Sequence, residues 1–217
     1  CHPRFHTKAA TQARHPRKKT YFCSMDELND YYFDDLDLTL LKRFFREEGR
    51  PCVLAKREYF IRQGEQARGV AYVEEGIFRL TRTDADGNEH VTGYSFRDSF
   101  VAEYSSCLCN RPSLADVQAV VESRVYVVSY EQLSRFWERS PEHLRLRARV
   151  AEQLFVMAYR RLTDSYCCTP EERYVNLMRC YPELKEHRPL KEIASFIGVT
   201  PETVSAIRRK LLKGGKS

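Results

Sequence analysis

The segment Leu190-Lys-Glu-Ile-Ala-Ser-Phe-Ile-Gly-Val-Thr-Pro-Glu-Thr-Val-Ser-Ala-Ile-Arg-Arg-Lys-Leu211 constrains this chain more than any other. It predicts a helix from Leu190 to Ile197 that stops at Gly198, and a second helix from Pro201 to about Leu212. Two helices joined by a turn of about three to four residues must pack at a steep angle. The crossing needs a small residue where the backbones meet, and Ala194 supplies it. The turn needs a residue at ease at positive φ, and Gly198, four positions on, supplies that. Val199, Val204 and Ile207 provide the apolar grip on the first helix. A generic helical hairpin has no need of all of these offsets together; a helix-turn-helix has.

Charge agrees with that reading once it is located. Residues 1–22 hold Arg4, Lys8, Arg14, Arg17, Lys18 and Lys19 and no acid, so this tail alone accounts for the formal net charge of +6. The segment from Arg188 to Ser217 is again basic, with Arg188, Lys191, Arg208, Arg209, Lys210, Lys213 and Lys216 against Glu192 and Glu202. Positive charge gathered on one short module is a footprint of phosphate binding, although a solvated chain end has the same composition. On a recognition helix the N-terminal half enters the major groove. The face opposite Val204 and Ile207 carries Pro201, Glu202, Ser205, Arg208 and Arg209. Glu202 suits the cytosine amino group, and Arg208 or Arg209 suits guanine or phosphate. Thr200 and Thr203 suit phosphate at the helix N-terminus.

The rest of the chain reads as a β-rich unit and a long helix. A helix is expected from Asp26 to about Glu48, with Leu38, Leu40, Leu41 and Phe44 on its apolar face. Short β-rich runs follow between Pro51 and Tyr130: Tyr59 to Ile61, Val70 to Val73, Ile77 to Thr83, His90 to Phe96, Val117 to Val121 and Val125 to Val128. Asp84-Ala-Asp-Gly-Asn88 is a hairpin turn. Strands this short and numerous mean a barrel or sandwich. Ser140, Pro141 and Glu142 then open a helix that runs to about Tyr166. It carries two apolar stripes. One is Ala148, Ala151, Phe155, Ala158 and Leu162; the other is Leu146, Val150, Leu154 and Met157. Two stripes imply two partners, the chain's own barrel and a second copy of the chain, with the first stripe as the dimer seam. Packing of both stripes within one chain is the alternative. Thr169-Pro-Glu-Glu172 is a capping box that starts the next helix.

In this order the elements resemble the Crp–Fnr family of transcription regulators, over roughly Leu38 to Leu211. The family's structural glycines match Gly64 in Arg-Gln-Gly-Glu and Gly76 in Glu-Glu-Gly-Ile. Its recognition helix reads Glu-Thr-aliphatic-small-Arg, against Glu202-Thr203-Val204-Ser205-Ala206 here, so Glu202 carries over, while Ala206 stands in place of the groove-reading arginine, whose role is lost unless Arg208 or Arg209 substitutes. The resemblance implies an α+β architecture in four parts. Residues 1–24, which lack acids and hydrophobic periodicity, read from composition as a disordered tail ahead of an expected start at Met25, and the resemblance makes 25–139 a cyclic-nucleotide-binding-like jelly-roll sensor barrel. Residues 140–167 form the dimerisation helix, and 168–217 a helix-turn-helix domain whose wing is missing or truncated. It further implies a homodimer on inverted-repeat double-stranded DNA, contact with RNA polymerase, and control by a small-molecule effector.

The family's phosphate cassette reads Gly-Glu-Leu followed downstream by Arg-Ser or Arg-Ala. The matching residues here are Ala102-Glu103-Tyr104 and Pro112-Ser113-Leu114-Ala115. Glu103 survives, Ser113 replaces the arginine, and Arg111 lies two residues early. Losing a charged phosphate partner weakens binding, so the expected effector is something other than cyclic AMP, with Glu103, Arg111 and Ser113 the candidate contacts. The cofactor stays unknown. Of the eight cysteines, Cys1 and Cys23 precede the barrel, which falls short of an N-terminal iron–sulfur cluster. Cys107 and Cys109 suit either redox or metal chemistry or two small buried apolar positions. His90 and His143 are the haem candidates. A redox, metal or haem sensor of the same architecture, and a regulatory ligand-binding protein that leaves DNA alone, are therefore the alternatives. Enzyme motifs such as a P-loop, GxSxG or HExxH are absent. No apolar run approaches the roughly 18 residues of a membrane span, and no signal-peptide core follows the start, so the cytoplasm is the expected location and the thiols are expected to be reduced.

Overall fold

The computed structural model describes residues 36–67, 69–181, 184 and 189–214. The expected tail 1–24 and the helical expectation for 26–35 lie outside the described residues. Helix α1 (Thr39–Glu48) buries Leu41, Phe44 and Phe45, spaced as one helical face. Eight strands follow: β1 (Arg50–Leu54), β2 (Tyr59–Ile61), β3 (Gly69–Glu75), β4 (Phe78–Thr83), β5 (Glu89–Ser95), β6 (Phe100–Val101), β7 (Asp116–Ala119) and β8 (Ser123–Ser129). They form two antiparallel four-stranded sheets, in the orders β1-β8-β3-β6 and β2-β7-β4-β5. Together with the helices this is the mixed α+β, jelly-roll-like architecture expected.

The sheets face each other across Leu54, Ile61, Ala71, Val73, Phe78, Val101, Val117 and Val125, all buried. The β4–β5 hairpin turns at Asp84 to Asn88, where the Asp84 carboxylate accepts from the Asp86 and Asn88 amides at 3.0 and 2.9 Å. Gly76 sits at φ 123° against β8, and a Cβ there would lie 2.1 Å from the Ser123 hydroxyl. No other residue fits both the conformation and the space.

Two short helices accompany the strands, one between β6 and β7 and one after β8. Helix α2 (Tyr104–Cys109) is capped by the Glu103 side chain. Helix α3 (Tyr130–Trp137) opens on a capping box between Ser129 and Gln132. Helix α4 (Pro141–Cys167) has Ser140 as its N-cap and proline in its first turn. A second core joins α1, α3 and α4 to the outside of β3 and β8, where Phe44 stacks on Phe136 at 4.2 Å. Leu146 is buried in it, while Val150 packs against it half-buried. Three helices end the described chain: α5 (Pro170–Cys180), α6 (Leu190–Ile197) and α7 (Pro201–Gly214).

Candidate nucleic-acid interface and its sensor contacts

Helices α6 and α7 meet where the sequence places its smallest constrained residue. Ala194, Ile193 and Val204 are fully enclosed, and Ile197 and Ile207 are buried beside them. Gly198 follows α6 at φ 68°, ψ 45°, so the turn is left-handed, and the Val199 amide returns to the Ala194 carbonyl at 2.9 Å. Helix α5 closes the third side with Tyr174, Leu177 and Met178. Its capping box is formed between Thr169 and Glu172. Arg173 pins the unit from below. Its Nε donates to the Ile197 carbonyl at 3.0 Å, and its Nη1 to the Cys168 carbonyl at 2.7 Å. These are the open carbonyls expected at helix C-termini, where a guanidinium also meets the negative dipole end.

The outer face of α7 presents Glu202, Ala206, Arg209 and Lys210 to solvent. Thr200 receives the Thr203 amide on its hydroxyl at 3.3 Å. The Glu202 carboxylate is held below the usual carboxylate range by a hydrogen bond from its own amide, then by the Thr200 hydroxyl. Pro201, Thr203 and Ser205 are half-buried along the same edge. Arg209 lies along its own helix, with Nε to the Ser205 carbonyl at 3.4 Å. Arg208 differs from the expectation in its direction. Its Nε donates to the Tyr174 hydroxyl at 3.0 Å, and its guanidinium carbon sits 5.9 Å from that ring. In this conformation it braces α7 on α5, and only Arg209 of the pair lies exposed.

The helix-turn-helix unit is docked on the barrel through α6, a contact that the sequence reading missed. Strand β5 is the edge of its sheet, and an uncovered edge leaves unpaired amides. The Val91 amide donates to the Ser195 hydroxyl at 2.8 Å. Glu192 accepts from the Tyr94 hydroxyl at 3.1 Å and from Arg79 Nη1 at 3.4 Å. Phe196 packs on Tyr94, and Phe96 stacks on Tyr181 at 4.8 Å. From α4, Arg161 donates to the Thr92 carbonyl at 2.6 Å and lies over the Phe196 ring at 4.6 Å. The available signal was Phe196 itself, an apolar residue on α6 outside the Ile193, Ala194 and Ile197 face.

The expected seam residues Ala148, Ala151, Phe155, Ala158 and Leu162 are all exposed on α4. Phe155 is 68% accessible, and Tyr159 and Tyr166 extend the same uncovered apolar run. Phe155 and Tyr159 stack with ring centroids 6.0 Å apart. The second stripe turns toward the chain's own barrel, with Leu146 buried and Val150, Leu154 and Met157 half-buried.

The cassette residues are engaged in local structure. The Glu103 carboxylate accepts from the Ser106 amide at 2.9 Å and from the Ser105 hydroxyl. Ser113 is buried and donates to the Ala115 carbonyl at 2.6 Å. Arg111 is exposed. Cys107 is buried, with its thiol pushed up first by burial, whereas Cys109 is exposed. The haem candidates are both occupied: His90 Nε2 lies 2.7 Å from the Asp84 carboxylate, and His143 Nδ1 2.8 Å from the Ser140 hydroxyl. Among the described residues no group of three or more His, Cys, Asp or Glu side chains is placed to hold a metal ion. Among them too, no helix is long and apolar enough to cross a membrane.

Residues 51–140 match the family model of the cyclic nucleotide-binding domain. No curated protein sequence matches the chain. Solved structures do. One is the c-di-GMP responsive global regulator CLP of Xanthomonas campestris, 20% identical, covering 82% of this chain and 93% of its own, with a TM-score of 0.61. FixK2 from Bradyrhizobium japonicum is 19% identical over 77% of this chain and 86% of its own, with a TM-score of 0.65. CprK in complex with OCPA is 18% identical over 80% of this chain and 84% of its own, with a TM-score of 0.59.

Proposed function

Because residues 51–140 match the family model of the cyclic nucleotide-binding domain and the described chain shares its fold with regulators such as CLP and FixK2, we propose that this protein is a dimeric, effector-controlled, sequence-specific DNA-binding regulator of transcription of the Crp–Fnr type. The observation that carries the proposal is the α6–α7 pair, crossing on Ala194 with the outer face of α7 uncovered. In this reading α7 lies in the major groove. Thr200 and Thr203 meet phosphate, and Glu202, Pro201 and Ser205 face base edges. Arg209 supplies affinity through phosphate. Arg208 joins it only by leaving Tyr174. The uncovered seam on α4 pairs two copies, so the operator is an inverted repeat with half-sites about 34 Å apart. RNA polymerase is the downstream partner. The effector is something other than cyclic AMP, since uncharged Ser113 stands where the resemblance expects the phosphate-pairing arginine and is spent on the Ala115 carbonyl, while the Glu103 carboxylate caps α2.

The test is selection from randomised duplexes, followed by salt titration of variants. Wild type is expected to select an inverted repeat. Glu202→Ala flattens preference at one base position per half-site, worth about 1–3 kcal/mol of discrimination. Arg209→Ala weakens binding to every sequence and shallows the salt dependence, because fewer counterions are released. Selected sites without two-fold symmetry, or an unchanged preference in Glu202→Ala, overturn the docking of α7.

A further inference from the structure

A cavity of about 290 Å³ lies where α1, α3 and α4 meet β3, β5 and β6, and it extends to Tyr181 and Phe196. That is the size of a small-molecule site. Its apolar wall includes Leu38, Val70, Phe100, Leu133, Val150 and Leu154. Glu103, Arg111 and Ser113 do not line it, but their cassette neighbours Ala102 and Tyr104 do, so it borders the cassette.

Its polar groups are unbalanced. Trp137, the chain's single tryptophan, lines the cavity. It is 4% exposed, and its indole Nε1–H is buried without a hydrogen-bond partner. Such orphaned donors are rare in folded proteins and ask for an acceptor. Arg147 lines the same space beside the Tyr104 hydroxyl. Among the described residues that line it, Asp98 is the one acid, and it already accepts from the Tyr72 hydroxyl at 2.6 Å and the Lys42 ammonium at 2.7 Å. The cavity thus presents a mostly apolar wall with a spare donor and two guanidinium groups, Arg147 and Arg161, the latter also donating to the Thr92 carbonyl, and its one carboxylate is committed elsewhere.

We propose that this cavity binds a small apolar molecule bearing one carboxylate, which accepts from the Trp137 indole and is favoured by the Arg147 guanidinium. A single anionic head on a hydrocarbon or aromatic body leaves no ligand polar group facing the apolar wall. A cyclic nucleotide would leave several, each costly to bury unpaired. The ligand would touch α3, α4 and the barrel at once, so occupancy would fix how α4 sits. Control of DNA binding through this site rests on the function proposed above; the site itself does not.

Calorimetry and tryptophan fluorescence on the full chain provide the test, with octanoate, decanoate and naphthoate as probes and the matching alcohols and cyclic AMP as controls. The carboxylates are expected to bind saturably and shift Trp137 emission. The alcohols are expected to bind about tenfold more weakly, since a charge-assisted hydrogen bond is replaced by a neutral one. Cyclic AMP is expected to leave the signal unchanged. By calorimetry, Trp137→Phe should lower carboxylate affinity about tenfold by removing the donor while keeping an aromatic ring. Arg147→Gln, at a half-buried position on α4, should erase the preference for acid over alcohol if Trp137→Phe proves unstable. No saturable binding by any carboxylate, equal affinity for acid and alcohol, or displacement of decanoate by cyclic AMP overturns the proposal. Carboxylate binding to a protein that selects no DNA site overturns the regulator reading alone. A selected operator whose occupancy no carboxylate alters, with binding intact, removes only the coupling.

Discussion

Two glycines of this chain do different physical work, and substitution separates them. Gly198 ends α6 at φ 68° with open space where a Cβ would stand. Gly198→Ala therefore meets only the left-handed backbone penalty of about 1–2 kcal/mol. Gly76 combines φ 123° with a Cβ position 2.8 Å from the Ser123 Cα as well as 2.1 Å from its hydroxyl. Gly76→Ala must move β8 or the turn into it, and the expected loss exceeds that of Gly198→Ala by at least about 1 kcal/mol, as overpacking does. Urea denaturation of the two variants checks the order. Equal losses would mean that the Gly76 contact relaxes freely. The side-chain level is also where sequence reading was weakest. Arg208 and Arg209 are indistinguishable by helical position alone, and only the Tyr174 hydroxyl on α5 decides which of them turns inward. Glu103 matched a ligand contact in the cassette, yet the structure uses it as an N-cap. An acceptor that satisfies a helix terminus and one that waits for a ribose look the same in sequence.

At the level of elements, α4 carries the sharpest expectation. Phe155→Glu sets a charge into the exposed apolar run of Phe155, Tyr159 and Leu162. Because Phe155 is exposed and stacks only on the likewise exposed Tyr159, the monomer's stability should change by less than about 0.5 kcal/mol, as at other surface sites. Association, by contrast, should be lost, and sedimentation of that variant should give monomers. A dimer that survives would place the interface elsewhere. What the sequence disclosed at this scale follows the strength of the local signal. Two helices with capping sequences, α4 and α5, and the hairpin at Asp84 were legible because capping and turn chemistry are written in adjacent residues. Strand β1 was not among the expected runs. It holds Pro51 at the edge of its sheet, where a missing amide is tolerated, and a proline otherwise reads as a boundary. Strand β6 has two residues and α2 six, too few for any period to show. Helix α3 had a readable box in Ser129 and Gln132, but it begins where β8 ends, and no helix was expected between the run Val125 to Val128 and Ser140.

For the whole molecule, the contact between barrel and helix-turn-helix sets how the two parts move. Glu192 links Arg79 and Tyr94, while Arg79 also holds Gln118 at 2.9 Å and Glu89 at 2.9 Å, so it keeps partners when Glu192 is removed. Glu192→Ala should therefore cost only about 1 kcal/mol of docking, the worth of an ordinary hydrogen bond. Hydrogen exchange reads this directly. The Val91 amide, which donates to Ser195, should exchange several-fold faster, while the Val204 amide inside the helix-turn-helix keeps its protection. Equal acceleration at both sites would mean that the unit unfolds rather than undocks. Helix α4 gives such undocking its reach. It is one unbroken rod of 27 residues, gripped by α3 and the barrel near its start and by Arg161 near its end. A rod of that length spans about 40 Å, so a swing of about 6° at the barrel end would carry the far end about 4 Å. One base pair rises about 3.4 Å along DNA. In the dimer proposed above, a lever of these proportions would turn a tilt smaller than a side-chain rotation into a one-base-pair misregister between the two copies of α7.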